Sequence, residues 1–593
     1  MAANSGTRWR IIALMAILSA GALILVGQLF RWQVLEHQTF LTLAEKEHQA
    51  EVVIRPRRGA IYDRKGFLMA ADTFQYQVSA SPSMISDPYA TADRLFPLLE
   101  MSRDETLAAL TSDAPWVPLS RGVSQPLGET ILDWDITGIQ VEPHAKRVYP
   151  EGTIAAHLIG FVNNNDNGFY GVEGYYNAML QGTPGLRQGE RDPFGSSIPI
   201  GPGQYLPPRD GKSLVLTIDR TAQYIVEKEL ADAVARYQAE SGTVVVLDPK
   251  TGAILAMASW PTYDPNHFAE TDQKLFPDPA VSEQYEPGSV FKVITLAAGL
   301  DSGVITPDTT IYDGGVIEVG GRTLYNWDRQ PHGTVNMTTV LAKSLNVGAA
   351  QVAVMQGKER FYTYLRRFGF GRITEVDLDS EGPGTLKTPG DPDWHESDLG
   401  TNSFGQGIAV TPLQMTVAIA AVANDGLLMK PHVVQEIVEG DHVLSVQPTV
   451  VRRTISAQTA RTLTEMLVAA VSEEAELALV PGYRVAGKTG TAQIPIPGGY
   501  HPSLTVASFA GYLPADDPAV VILVVINKPQ TSPWGGQVAA PAFAHIAQQL
   551  MILFDVPPDD IRQAENQQTS ESANQRVGES ANQEIAVADS SIR

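Results

Sequence analysis

Residues 285–300 read YEPGSVFKVITLAAGL, and this stretch decides how the rest of the chain is understood. Ser289 and Lys292 are three positions apart, and an apolar helical run begins between them. On a helix, positions i and i+3 share a face, so the amine reaches the hydroxyl. A serine hydroxyl is a weak nucleophile at neutral pH and needs a base. A lysine serves as that base only when burial or a second cation lowers its pKa. Pro287 and Gly288 place Ser289 at the helix start, where unpaired N–H groups can stabilise a developing oxyanion. The alternative is a capping serine beside a solvated lysine. Lys292 is nonetheless the one lysine among 14 with a serine three residues before it.

Two further elements follow. VLAKSLNVGAAQVAVM carries Ser344 and Asn346, where polar residues give way to apolar ones. A hydroxyl there can relay a proton, and an amide can hold a substrate amide. RVAGKTGTAQ reads as a strand with Lys488, Thr489, Gly490 and Thr491. It offers an ammonium, two hydroxyls and a glycine that would let a substrate backbone approach the strand edge. Each element has decoys. Ser572 with Asn574 and Ser580 with Asn582 repeat the serine–asparagine spacing in polar sequence. Lys250, Thr251 and Gly252 follow Asp248 and Pro249, which is turn chemistry. What counts is the ordered set: Ser289/Lys292, then Ser344/Asn346, then Lys488 to Gly490, the signature of penicillin-recognising serine enzymes.

The elements around these motifs predict an α+β domain. SLVLTI alternates like a strand, and RTAQYIVEKELADAVARY is an amphipathic helix. GTVVVLD and AILAMAS flank the turn signal PKTG and predict a hairpin. Helices are expected over residues 290–300, 338–355, 358–368, 411–423 and 457–472, and a last one over 541–554. Late strands are expected over 485–493, 505–512 and 519–526. Two early strands, a helical middle, three strands and a helix fit one central antiparallel sheet flanked by helices. A Gly/Pro/Ser-rich stretch, SSIPIGPGQYLPPRDGKS, reads as a linker or long loop. From Pro557 the chain is polar and acidic, with ESANQ twice, and reads as a disordered tail.

Composition narrows the function classes. The chain has 593 residues, 44% of them hydrophobic, enough for a large core. Its net charge of -23 disfavours phosphate backbones, so no nucleic-acid partner is expected. Cysteine is absent, which removes thiolate metal sites and Cys nucleophiles. The 11 histidines lie no closer than ten residues apart, so no helical pair could hold zinc, and no metal or cofactor is expected. Residues 11–30, IIALMAILSAGALILVGQLF, carry no charge and are long enough to span a bilayer. Arg8 and Arg10 precede them, which favours a cytoplasmic amino end and an extracytoplasmic remainder. The helical pattern runs on past the span, against a cleaved signal peptide.

With these motifs the chain resembles the class B penicillin-binding proteins, monofunctional D,D-transpeptidases of bacterial cell-wall synthesis. RRGAIYDRKG, RVYP, AAHLIGFV and GVEGYYNAMLQGTPG resemble the motifs of their membrane-proximal pedestal. NWDRQPHGTVNMTTVLAKSLN, FGQGIAVTPLQ, SFAGYLPADDP and WGGQVAAPAF resemble blocks of their transpeptidase domain. The resemblance implies a cytoplasmic tail at 1–10, a transmembrane helix at 11–31 and a pedestal of the dimerisation type at 32–212. A transpeptidase domain, β-lactamase-like in fold, would then occupy 213–556 and the tail 557–593. It implies that Ser289 attacks the bond between two terminal D-alanines of a peptidoglycan stem peptide, and that β-lactams acylate it as mimics. Lys292 would be the base. Ser344 and Lys488 would shuttle protons, each lysine lowering the other's pKa. Asn346, Thr489 and Thr491 would hold the donor peptide, and the N–H groups of Ser289 and Thr491 would form an oxyanion hole. Arg58, Asp63, Arg64 and Glu173 match pedestal positions and are read as structural ion pairs.

Residues 285–305, 357–371 and 508–518 resemble the septal, cell-division branch more than the elongation branch. Glycan polymerisation would then fall to a membrane partner, a SEDS-family glycosyltransferase among other divisome proteins. The glycine-containing anchor is a candidate docking face, with plain anchoring as the alternative. Two rival readings remain: a serine β-lactamase, and a non-enzymatic β-lactam sensor or divisome scaffold.

Overall fold

The computed structural model describes residues 5–40, 49–190 and 205–564. The two serine–asparagine decoys, both ESANQ copies, residues 565–593 of the expected tail and residues 196–204 of the expected linker lie outside them. The described parts of residues 1–58 and 181–211 form one compact unit, and those of 59–180 and 212–593 form another.

In the first unit the chain begins with the helix Ser5–Phe30 and continues into a π-helical turn, Arg31–Leu35. Residues Arg8–Leu35, in which an 18-residue window reaches a mean hydropathy of 2.3, form the one helix among the described residues long and apolar enough to cross a membrane. The uninterrupted helix expected beyond the span breaks at Glu36, whose φ and ψ of -107° and 10° leave the helical region. Its carboxylate turns back to Arg31 Nε at 2.8 Å. Strand Gln49–Ile54 pairs antiparallel with Gly185–Glu190, which pairs in turn with Tyr205–Leu206.

The second unit holds two main sheets. In the first, Leu68–Ala80 pairs antiparallel with Ile61–Tyr62, Val117–Val123 and Ile139–Val148. Ile61–Tyr62 also runs parallel to Ser213–Leu216, which pairs with Val434–Glu439. The expected boundary at 212/213 therefore falls within a sheet that strands from both sides build. Tyr176 reinforces this junction, donating to Asp377 Oδ2 at 2.8 Å, while Asp377 accepts the Val433 and Val434 N–H groups.

The pedestal motif residues divide by role. Glu173 pairs with Arg147 at 2.7 Å, and Arg147 also reaches Asp72 at 3.1 Å. Asp63 departs from the expected ion pair. Its oxygens accept the backbone N–H groups of Lys65, Phe67 and Arg220, so it holds a turn. Arg64 gives its backbone N–H to Ile218 O. Arg58 is buried.

The second sheet is the expected one. Strands β1 (Ser241–Leu247), β2 (Ile254–Trp260), β3 (Ala486–Ile496), β4 (Gly499–Leu513) and β5 (Val520–Asn527) lie in the order β2-β1-β5-β4-β3, all antiparallel. Side chains alternate across a strand, and here both faces are buried. Val244, Val246, Ile522 and Val524 pack on α1 (Arg220–Tyr237) and a carboxy-terminal helix, while Val245, Leu523 and Val525 face the helical middle. That is why these strands read as unbroken apolar runs. The helical middle includes α2 (Lys292–Asp301), α3 (Asn346–Gln356), α4 (Pro412–Ala423) and α5 (Ala457–Glu474). The carboxy-terminal helix α6 spans Gly535–Leu553 and begins six residues before the expected start at Pro541. Proline favours a first helical turn, which misplaces the start; the true first turn is held because Gly535 N–H bonds Thr491 Oγ1 at 3.0 Å. Order also persists past Pro557: Asp559 is buried, accepts the Arg484 N–H, and pairs with Arg562 at 2.8 Å.

Arg147 and Glu173 show side-chain exposures of 3% and 0%. Removing one member of such a pair strands a buried charge, whereas replacing both does not. Glu173→Ala is expected to lower the unfolding free energy by about 3–5 kcal/mol in chemical denaturation. Arg147→Met combined with Glu173→Leu is expected to recover most of that loss.

Candidate active site

The amino-terminal turn of the nucleophile segment is a 3-10 helix, Gly288–Phe291, that runs directly into α2. Gly288 has φ of +54°. A Cβ there would meet Ala492 Cβ at 3.1 Å and Thr491 O at 3.2 Å, so glycine lets this turn lie against β3. The Gly288 N–H is taken by Gly405 O at 3.1 Å, so Ser289 carries the next N–H of a first turn that has no intrahelical acceptors.

The expected helix over 338–355 is in fact two helices, Met337–Ala342 and α3. The break falls on Ser344, whose φ of +58° is left-handed. That conformation costs a non-glycine residue about 1–2 kcal/mol. The break has a chemical use. On a continuous helix, positions i and i+2 do not share a face. With the turn, both Ser344 and Asn346 reach one atom, the Lys292 amine. Asn326 supports the restart of the helix: its Oδ1 accepts the Val347 N–H at 3.0 Å, and its Nδ2 binds both Asp313 oxygens at 2.9 Å.

Lys292 Nζ lies 3.0 Å from Ser289 Oγ, 2.6 Å from Ser344 O, 3.1 Å from Ser344 Oγ and 2.8 Å from Asn346 Oδ1. The Asn346 orientation follows from its other end, where Nδ2 donates to Tyr325 O at 3.0 Å. A carbonyl and an amide oxygen can only accept. A neutral amine has two N–H bonds for them and a lone pair left for a hydroxyl proton. The arrangement allows an uncharged Lys292 to act as base toward Ser289. Burial, with the Lys488 ammonium as second cause, holds its pKa well below the usual lysine value.

Lys488, on β3, donates toward Thr489 Oγ1 at 3.1 Å. Burial pulls its pKa down to about 8, against the opposing pull of Glu474. Burial is the first cause of the lowered pKa at both lysines, and the Lys488 charge adds to it at Lys292.

Ser289, Ser344, Thr489 and Thr491 share one groove of about 600 Å³, along β3 at the sheet edge. Trp327 and Trp534 also line it, with ring centroids 5.4 Å apart and nearly edge to face. Trp327 is fixed by its Nε1–H, which donates to Lys343 O at 3.2 Å. Both tryptophans lie in the family-like blocks NWDRQPHGTVNMTTVLAKSLN and WGGQVAAPAF, but spacing along the chain gives no sign that the two rings meet. Gly490 takes a different part from the one expected. A Cβ there would meet Ser508 Oγ at 2.3 Å, Val290 Cγ2 at 2.9 Å and Pro287 O at 3.0 Å. Its bare backbone seats β3 on the nucleophile turn. The Lys250 decoy is a turn: Asp248 accepts the Thr251 hydroxyl at 2.7 Å and the Lys250 N–H at 2.8 Å.

A family model described as penicillin binding protein transpeptidase domain matches residues 242–548, and one described as penicillin-binding protein dimerisation domain matches residues 53–216. The chain is 34% identical to stage V sporulation protein D of Bacillus subtilis, over 87% of this chain and 81% of that one. It is 29% identical to peptidoglycan D,D-transpeptidase FtsI of Escherichia coli K12, over 94% of each. Among solved structures, penicillin binding protein 3 of Mycobacterium tuberculosis complexed with aztreonam aligns with a TM-score of 0.67 at 30% identity, covering 86% of this chain and 98% of that one.

A displacement of about 1 Å at a reacting centre can cost roughly a hundredfold in rate. Gly490→Ala is therefore expected to slow acylation of Ser289 by a fluorescent penicillin about a hundredfold, while far-ultraviolet circular dichroism stays unchanged. Seated nucleophile, paired lysines and sheet-edge groove agree with the matches along both segments: the chain belongs to the penicillin-binding protein transpeptidase family, in its class B form with a preceding dimerisation domain.

Proposed function

We propose that this protein is a serine-type peptidoglycan D,D-transpeptidase that cross-links stem peptides and is acylated by β-lactams. The observation that carries the reading is the Lys292 amine, which contacts Ser289, Ser344 and Asn346 at once. Lys292 takes the Ser289 proton as Oγ attacks the carbonyl between the terminal D-alanines. The Ser289 and Thr491 N–H groups stabilise the oxyanion. Ser344 and protonated Lys488 pass a proton to the departing D-alanine nitrogen, and an acyl-enzyme remains. An amine from a second stem peptide then attacks that ester, returns its proton through the same groups, and frees Ser289. Asn346, Thr489 and Thr491 hold the donor peptide, while Gly490 acts through the seating of β3.

Arg8 and Arg10 before the span favour a cytoplasmic amino end, with the groove outside. The resemblances at 285–305, 357–371 and 508–518 favour the septal branch, with a SEDS-family glycosyltransferase and other divisome membrane proteins as partners.

Ser289→Ala is expected to abolish covalent fluorescent-penicillin labelling; labelling that survives it would defeat the nucleophile assignment. Rapid penicillin turnover by the wild type would instead indicate a β-lactamase. Acylation needs Lys292 neutral and Lys488 charged. Its rate is therefore expected to fall as pH rises through about 8, where Lys488 loses its proton. Depletion in cells is expected to give filaments or unseparated chains; rounded or swollen cells would point to elongation.

A further inference from the structure

The two N–H groups assigned to the oxyanion hole come from different elements, Ser289 from the nucleophile turn and Thr491 from β3. Their spacing depends on how the turn is tied to the strand. One tie is the close approach of Gly288 to Thr491 and Ala492. A second runs through Glu286, three residues before the nucleophile. Glu286 Oε1 accepts the Gly407 N–H at 2.9 Å and the Tyr500 hydroxyl at 3.3 Å. Tyr500 stands on β4 opposite Pro495 of β3. One oxygen thus joins the lead-in to Ser289, the 405–407 loop and the β3–β4 hairpin.

The backbone bonds around this oxygen show what it adds. Tyr285 and Val410 exchange N–H···O bonds of 3.0 and 2.9 Å, and the Gly288 N–H meets Gly405 O at 3.1 Å. These rungs hold both ends of the lead-in on the loop. Between them Gly407, with φ of +73°, turns its N–H to the Glu286 side chain. The rungs run to the loop, whereas the Tyr500 bond runs to the hairpin that carries Lys488 and Thr491. Burial raises the Glu286 pKa, so the carboxyl leans toward its uncharged form. Acid and carboxylate both accept at Oε1, and so does the amide oxygen of a glutamine in the same place. The clasp therefore requires an acceptor rather than a charge.

We infer that Glu286 is a positioning residue for acylation: by clasping Gly407 and Tyr500 it fixes the nucleophile turn against the β3–β4 hairpin, and so the Ser289 and Thr491 N–H groups against each other. It acts through those two residues rather than on the substrate. Donors fixed in place before the reaction stabilise the oxyanion that develops in the transition state. Loss of the clasp therefore slows the acylation step and spares the affinity of the complex that precedes it. The inference rests on the transpeptidase reading, because it assumes acylation at Ser289.

The test uses the full-length chain in detergent. Stopped-flow acylation by a fluorescent penicillin separates the limiting rate from the dissociation constant of the first complex. Glu286→Ala is expected to lower the limiting rate at least about tenfold, with the dissociation constant within about twofold of wild type. Glu286→Gln, which keeps the acceptor, is expected to restore the rate to within about threefold of wild type. Tyr500→Phe, which removes one hydroxyl, is expected to lower the rate at least about threefold. Thermal unfolding monitors the fold; should Glu286→Ala fail to fold, Tyr500→Phe decides. A folded Glu286→Ala with a limiting rate near wild type overturns the inference. So does a glutamine variant as slow as the alanine variant, a loss confined to the dissociation constant, or an unchanged rate in Tyr500→Phe. A wild type that fluorescent penicillin does not acylate overturns the transpeptidase reading and the inference together. An acylated wild type, with labelling lost in Ser289→Ala, leaves that reading in place whatever the Glu286 and Tyr500 variants show.

Discussion

The site depends on one buried amine. Lys292 is fully enclosed, and a charged ammonium at that depth would have to be paid for by a counter-ion. None of its contacts is a carboxylate; it meets a hydroxyl of Ser289, a carbonyl and hydroxyl of Ser344, and an amide oxygen of Asn346. Burial and a nearby second ammonium both favour the uncharged form. A base is thereby produced from a residue that is ordinarily protonated at neutral pH. The left-handed Ser344 follows from the same demand, because only a broken helix presents both side chains to one nitrogen.

Close backbone approach is the second constraint, and glycines supply it. Gly288 and Gly490 let the nucleophile turn and β3 touch. Gly405 lies under the same turn, where a Cβ would fall 2.2 Å from Gly288 O. Gly535 brings the start of α6 onto β3, where a Cβ would fall 2.1 Å from Gly490 O. Four segments distant in sequence are thus held at backbone distance. The segment that precedes the sheet domain is held by the buried ion pair of Arg147 and Glu173 and is joined to the later chain by the Tyr176–Asp377 bond.

Much of this was legible beforehand. The places of the sheet strands along the chain could be read because each face of β1 and β5 is buried, which leaves unbroken β-branched runs; their order within the sheet could not. The Ser289/Lys292 pair was legible because both lie within one helical turn. Reading failed where tertiary contacts override local preference. Pro541 marked a helix start that lies at Gly535, because the bond to Thr491 Oγ1 comes from another element. Residues 338–355 looked like one helix because the price of a left-handed serine is met by contacts to Lys292, 52 residues away. Asp63 looked like an ion-pair partner, and its oxygens instead gather backbone N–H groups from two segments.

By itself the sequence determined the chemical inventory: a serine with a lysine one turn on, a serine–asparagine pair, a lysine–threonine–glycine strand and an apolar amino-terminal span. Local spacing suffices for those, since they depend on neighbours within a turn or a strand. The tertiary structure alone decided that Gly490 seats β3 on the nucleophile turn, that burial and Lys488 together lower the Lys292 pKa, and that Trp327 meets Trp534. Each of these depends on distances and burial between segments scores of residues apart, and desolvation and Coulomb energies are set by those distances rather than by order along the chain.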